Sequence, residues 1–192
     1  MGNHRLFNLK EAYSLYAIHH SNHINKIIHI LFIPCTLFGS FILINNLGGD
    51  YLEPIKKVIN LSTIFAVLLC AYVCYLDTKI GLITSAWILM TNYLANTKIE
   101  DIGLSRASSD GVKLLAIALV VLLLGHLIFE GVSHTFSLPA EPLAMFVVPL
   151  FITYEVLFML GYCKETETLV YTQINTHFAE AALLKKIKSL EY

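Results

Sequence analysis

The sequence predicts an all-α fold: a polytopic membrane protein with about five transmembrane helices plus interfacial N- and C-terminal helices. Three observations predict it. Apolar residues fill 56% of 192 positions and charged residues only 14%, with mean hydropathy +0.67; a soluble domain carries roughly 25% charged residues. Apolar runs near the length needed to cross a bilayer recur along the chain. Nothing alternates with period two, and only helices or closed barrels satisfy their backbone in lipid.

The elements follow in order. Residues 5–20 repeat Leu6, Leu9, Tyr13, Tyr16 and His20 at helical spacing, too short and polar to span, which suits an interfacial helix. Ile27 to Leu47 is the first run; Pro34 and Gly39 inside it predict a kink. Asn45 to Asp50 is a turn signal. Val58 to Leu76 is the second run, and Asp77-Thr78-Lys79 turns it into a third, Ile80 to Ala95, as antiparallel neighbours. Asn96 to Asp110 is polar and reads as a loop. Val112 to Val132 is the most apolar run, His134 to Pro142 a short loop, and Leu143 to Tyr162 the fifth run, with Pro149 and Glu155 inside. The polar end, with Lys185, Lys186 and Lys188, suits the C-terminus of an interfacial helix. Tyr16, Tyr154 and Tyr162 fit aromatic belts. With no internal repeat, residues 1–192 read as a single membrane-embedded domain.

Composition also excludes. A net charge of −1 without a basic tract leaves no nucleic-acid footprint. Cys35, Cys70, Cys74 and Cys163 form no CxxC pair and read as small core residues. The N-terminus does not read as a signal peptide, and Leu6 stands where a myristoylation signal wants Ser or Thr.

The informative residues are those a bilayer rejects: His20, His23, Asn25, His29, His126, Glu130 and Glu155. Four of the eight histidines lie between Tyr16 and Pro34, a density that suits metal or proton chemistry. Singly, each reads as an interfacial residue, and His4 and His177 receive no role. Asn25 reads as the N-cap of the first span, and Glu155 as a buried acid satisfied by a neighbouring helix. His126 is harder to dismiss, because Lys113 is the only charge between Val112 and Gly125. Glu130 follows His126 at i+4 on the same face, where a carboxylate can hold a ligating histidine.

Helical phase adds a constraint. His20 and His29 are nine residues apart, about 900° of turn at roughly 100° per residue. On one helix they point to opposite sides. Tyr16, His19, His20 and His23 share one face, and Asn22, Asn25 and His29 the other. Both groups serve one site only if the helix breaks, and Ser21, Asn22 and Asn25 suit a break at residues 21–25.

The string Tyr16-x3-His20-x-Asn22-x2-Asn25-Lys26-x-Ile28-His29, followed by Pro34, resembles the signature of the membrane 2-hydroxy fatty acid dioxygenase family, formerly a domain of unknown function. Gly125-His126-x2-Phe129-Glu130, then Pro139-Ala140, Pro149 and Glu155, is similar to its second half. The likeness covers roughly residues 8–163. The loop between His126 and Pro139 departs from the family form, and His134 there matches no motif position.

That resemblance implies an Fe(II)-dependent α-oxidation: a 2-hydroxy fatty acid and dioxygen give a fatty acid one carbon shorter, in eukaryotes for breakdown of phytosphingosine-type bases. It implies a multi-pass protein of the endoplasmic reticulum membrane, or of the inner membrane for a bacterial chain. The matching metal positions are His20, His29 and His126, with His19 and His23 as additional candidates. Neutral imidazole suits Fe(II). Lys26 is a candidate for pairing with the substrate carboxylate, beside its reading as a snorkelling lysine. Asn22 and Asn25 are candidates to orient histidines or the substrate hydroxyl, and Glu130 is the candidate supporting carboxylate.

Two other readings compete. His19-His20-x2-His23 looks like the histidine box of a di-iron desaturase or hydroxylase, which needs several boxes. A transporter or scaffold uses histidines for protons or packing, but transporters favour internal repeats. With five spans, His29 at the start of the first and His126 at the end of the fourth lie on one side of the membrane. Arg5, Lys10, Lys26 and Lys79 then share the N-terminal side, and the positive-inside rule makes the C-terminal side cytoplasmic.

Overall fold

A computed structural model describes residues 8–9, 12–13, 16–17, 20–47, 60–131, 144–172 and 175–176. The expectations for His4, His19, His134, His177, the 134–142 loop and the C-terminal lysines fall outside them. All regular structure among the described residues is helical. Helix α1 is His23–Leu47, α2 Leu61–Leu76, α3 Thr78–Ile102, and α4 Leu104–Gly125, prolonged by a π-turn at His126–Glu130. Helix α5 is Ala144–Met159; a 112° bend then leads into α6, Lys164–Thr172.

Capping explains several boundaries. The chain is non-helical at His20, Ser21 and Asn22, at the front of the expected break. Asn22, not Asn25, starts α1: its Oδ1 accepts from the Ile24 N–H at 2.9 Å and its carbonyl from Lys26 at 3.1 Å. Asn25 lies inside the first turn, fully buried, so its side chain is free for tertiary work. Pro34 sits within a continuous α1. Asn60 caps α2 through the Thr63 N–H at 2.8 Å. Asp77 both ends α2, donating to Val73 O, and caps α3, accepting from Ile80 at 3.0 Å.

The expected loop at Asn96–Asp110 is helix instead. Helix α3 runs on to Ile102, only Gly103 (φ 80°) interrupts, and α4 begins at Leu104. Polar side chains on these turns find partners. Lys98 pairs with Asp110 at 2.9 Å across the corner. Asn96 accepts from Asn45 at 2.7 Å and from Asn60 at 2.9 Å, and donates to Asn92 at 3.2 Å. Asn92 in turn donates to Ser62 at 2.8 Å. This amide cluster ties the end of α1 to the start of α2 and the second half of α3.

Helices α1 and α4 pack closely and antiparallel. A Cβ on Gly39 would stand 2.9 Å from the Gly111 carbonyl, so these glycines let the backbones approach, as in membrane helix pairs. Near the other end of the pair, a Cβ on Gly125 would stand 2.7 Å from Asn25 Oδ1. The start of α1 therefore meets the end of α4.

Large apolar side chains face outward, among them Leu68, Leu82, Met90 and Val120 at 64, 62, 58 and 55% exposure. Lys26, Asn92, Thr153 and Glu155 are buried instead. That inside-out distribution suits a bilayer. By length and composition α1 and the α4–π unit can cross a membrane, and α5 with α6 makes a third only if the bent pair is one span. Among the described residues the expectation of five spans is thus not met by five qualifying helices. Helices α2 and α5 have 16 residues each, about 24 Å at 1.5 Å per residue, short of a roughly 30 Å core. Helix α3 is long, but its second half is polar.

Helix α5 also runs in an unexpected direction. Alternating spans put its C-terminal end opposite the start of α1. In the structure Glu155 sits 3.0 Å from Lys26, and Tyr171 of α6 accepts from Lys26 at 3.3 Å. The end of α5 therefore returns to the histidine end, and the division of basic residues between two sides loses its basis. Tyr16 and Tyr154 are not belt residues: they are buried at 7 and 2% exposure, whereas Tyr162 is exposed. Tyr13 packs edge-on against Tyr16, Phe151 and Tyr154, with centroids 5.9, 4.8 and 5.6 Å apart, which docks the N-terminal segment on α5.

Candidate metal centre

The break at residues 20–22 sets the site. It lets His20 turn toward His29, which points inward from the second turn of α1. His126 comes from the end of α4, where the chain widens into a π-turn closed by the Gly131 N–H on the His126 carbonyl at 3.1 Å. Such turns cluster at functional sites because they re-aim side chains. The ring centroids of His20, His29 and His126 lie 4.3, 4.7 and 4.8 Å apart, all pairs edge-on. One nitrogen from each lies within 4.8 Å of the others, a group that can hold a metal ion.

Hydrogen bonding settles two tautomers. His20 Nδ1 is 2.8 Å from the Tyr16 carbonyl, and His29 Nδ1 is 2.9 Å from the Asn25 carbonyl. A carbonyl oxygen only accepts, so both Nδ1 atoms carry the proton. In the neutral ring each Nε2 then presents a lone pair, and the two Nε2 atoms face each other at 3.0 Å. Two facing lone pairs repel unless a cation sits beside them. Two imidazoles bound at about 2.1 Å and at right angles hold their nitrogens about 3 Å apart. The donor set thus fits a metal ion, with backbone carbonyls holding the far nitrogens.

The remaining predicted residues divide. His23 is exposed and outside the cluster. Glu130 lies one turn beyond His126 and reaches across to the break before α1. It accepts from Ser21 Oγ at 2.7 Å, the Asn22 N–H at 2.8 Å and Asn25 Nδ2 at 3.2 Å. Its carboxylate clasps the break to the end of α4. Lys26 is not a snorkelling residue; it is buried against Glu155, which also accepts from the Tyr13 hydroxyl at 2.7 Å. Burial foremost, and then the Glu155 carboxylate, push the Tyr13 phenol far above its usual range, so it stays a donor.

Sequence reasoning missed the work of Tyr16. Its ring stacks on His20, with centroids 3.9 Å apart and planes 14° from parallel. Its hydroxyl is buried without a partner. Burial, then the Glu155 and Glu130 carboxylates, hold this phenol well above the usual range. The signal was present: Tyr16 lies at i−4 to His20. Tyr13 as the partner of Glu155 was equally unforeseen, since 142 positions separate them.

Among known proteins, the chain is similar to the 2-hydroxy-palmitic acid dioxygenase of Saccharomyces cerevisiae: 26% identical over 159 residues, covering 82% of this chain and 84% of the yeast protein. The chain is a homologue of this dioxygenase. The homologue bears out the family resemblance carried by the two histidine motifs. No protein-family model matches the chain, and no solved structure does.

Proposed function

We propose that this protein is a membrane-embedded, Fe(II)-dependent dioxygenase that shortens 2-hydroxy fatty acids by one carbon. The observation that carries the reading is the facing pair of Nε2 lone pairs, with His126 beside them, in a homologue of a 2-hydroxy fatty acid dioxygenase. His20, His29 and His126 would hold the iron, which would supply the redox chemistry with dioxygen. The balance closes without a further reductant: R–CH(OH)–COOH and O2 give R–COOH, CO2 and H2O.

The chain's own residues supply positioning. The Tyr16 and Asn25 carbonyls accept from Nδ1 of His20 and His29 and so turn each Nε2 inward. The Glu130 clasp holds the break closed around them. Outward apolar faces of the helices give an acyl chain access from the bilayer. In a eukaryotic cell the setting proposed is the endoplasmic reticulum membrane and the breakdown of phytosphingosine-type bases.

A two-metal hydroxylase fits less well, because the described residues hold a single metal-capable group of three or more ligating side chains. The test is anaerobic loading of the purified protein with Fe(II), followed by O2 and a 2-hydroxy fatty acid. One iron per chain and a product one carbon shorter by mass spectrometry are expected, with His23→Ala unchanged. Two irons per chain, or none, overturns the reading.

A further inference from the structure

Three buried side-chain polar atoms among the described residues lack a partner: Tyr16 Oη, Asn25 Oδ1 and Ser108 Oγ. Leaving such an atom unpaired costs about 1–3 kcal/mol. Ser108 belongs to the first turns of α4, far from the histidines. The other two border the metal centre, and each belongs to a residue whose carbonyl already fixes one histidine.

Their chemistry is complementary. Asn25 Nδ2 donates to Glu130 Oε1 at 3.2 Å. The reverse orientation of the amide would set its oxygen against a carboxylate, so Oδ1 is assigned as the orphan. It can only accept. It lies over Gly125, next to His126, where a Cβ would stand 2.7 Å away. Tyr16 stacks on His20, and its neutral hydroxyl can donate. One orphan donor and one orphan acceptor thus belong to residues in contact with the three converging imidazoles.

We infer that Tyr16 and Asn25 together recognise the 2-hydroxy carboxylate head group: the Tyr16 hydroxyl donates to the carboxylate and Asn25 Oδ1 accepts from the 2-hydroxyl. This rests on the functional reading above and names the residues that select its substrate. A 2-hydroxy acid offers one acceptor and one donor on adjacent carbons. A plain fatty acid offers only the acceptor and leaves Asn25 unpaired. Tyr16 therefore contributes to affinity for any fatty acid, and Asn25 to preference for the hydroxylated one.

The test is equilibrium binding to the iron-loaded protein under nitrogen, where no turnover occurs. 2-Hydroxypalmitate is compared with palmitate in wild type, Tyr16→Phe and Asn25→Ala. Tyr16→Phe should weaken both ligands about tenfold and leave their ratio unchanged. Asn25→Ala should narrow the ratio about tenfold and affect palmitate little. Equal affinity of Tyr16→Phe and wild type for both acids, or an unaltered ratio in Asn25→Ala, overturns the inference. Should Asn25→Ala fail to fold, Tyr16→Phe, which removes one atom, decides alone. If wild type itself holds no iron, the functional reading has failed instead.

Discussion

At one end of the bundle Asn45, Asn60, Asn92 and Asn96 bond one another together with Ser62 and Thr63. At the other, His20 and His29 point lone pairs at each other while Tyr16 Oη and Asn25 Oδ1 go unpaired. Both clusters put polar groups into an apolar helical protein. The first is closed: none of its side-chain atoms is among the buried orphans. The second is open: it leaves these groups unsatisfied, and its three histidines can hold a metal ion. A satisfied buried network specifies packing, whereas an orphaned buried group calls for an explanation of its own, which beside converging histidines is a bound ion or ligand.

Variants at the two ends should separate these roles. The largest effect is expected at the open end. His29→Ala or His126→Ala should lower the iron content of the protein at least tenfold and abolish chain shortening, while a thermal melt of the metal-free protein moves little. Retained iron in either variant would remove that histidine from the centre and blur the contrast.

An intermediate effect belongs to the ion pair beside the site. Lys26→Met strands the Glu155 carboxylate in the interior, with Tyr13 its remaining partner among the described residues. Breaking a buried pair in this way costs about 3–5 kcal/mol. Adding Glu155→Gln should recover much of the loss. Denaturation of both variants measures this, and equal stability of Lys26→Met and wild type would show the pair to be dispensable.

The smallest effect is expected at the closed end. Asn92→Ala removes the donor to Ser62 and the acceptor for Thr63 and Asn96. Interhelical hydrogen bonds of this kind contribute about 0.6–1.7 kcal/mol in membranes. The midpoint of unfolding should fall slightly and iron content should stay the same. Loss of iron in Asn92→Ala would break the distinction between the two ends.

Much of the open end was legible beforehand because helical phase is a one-dimensional property. The nine-residue step from His20 to His29 demands a break if both serve one site, and the structure puts it at His20–Asn22. Which asparagine caps α1 was misread, since Asn22 and Asn25 are equally good caps and only burial separates them. The polar run Asn96–Asp110 was misread for a related reason. Its composition is that of a loop until Asn45, Asn60 and Asp110 supply partners for its side chains.

The sequence by itself determined the helical class and an apolar composition that suits lipid, because composition and periodicity are local; His20, His29 and His126 stood out as a set only through the family resemblance, with His19 and His23 beside them. Only the tertiary structure decided that Glu130 clasps the break, that Lys26 belongs to Glu155, and that α5 ends beside α1. Those outcomes depend on which buried charge or polar atom finds which partner more than a hundred residues away. No local pattern carries that pairing, because the free energy of burying such groups is settled only when distant helices meet.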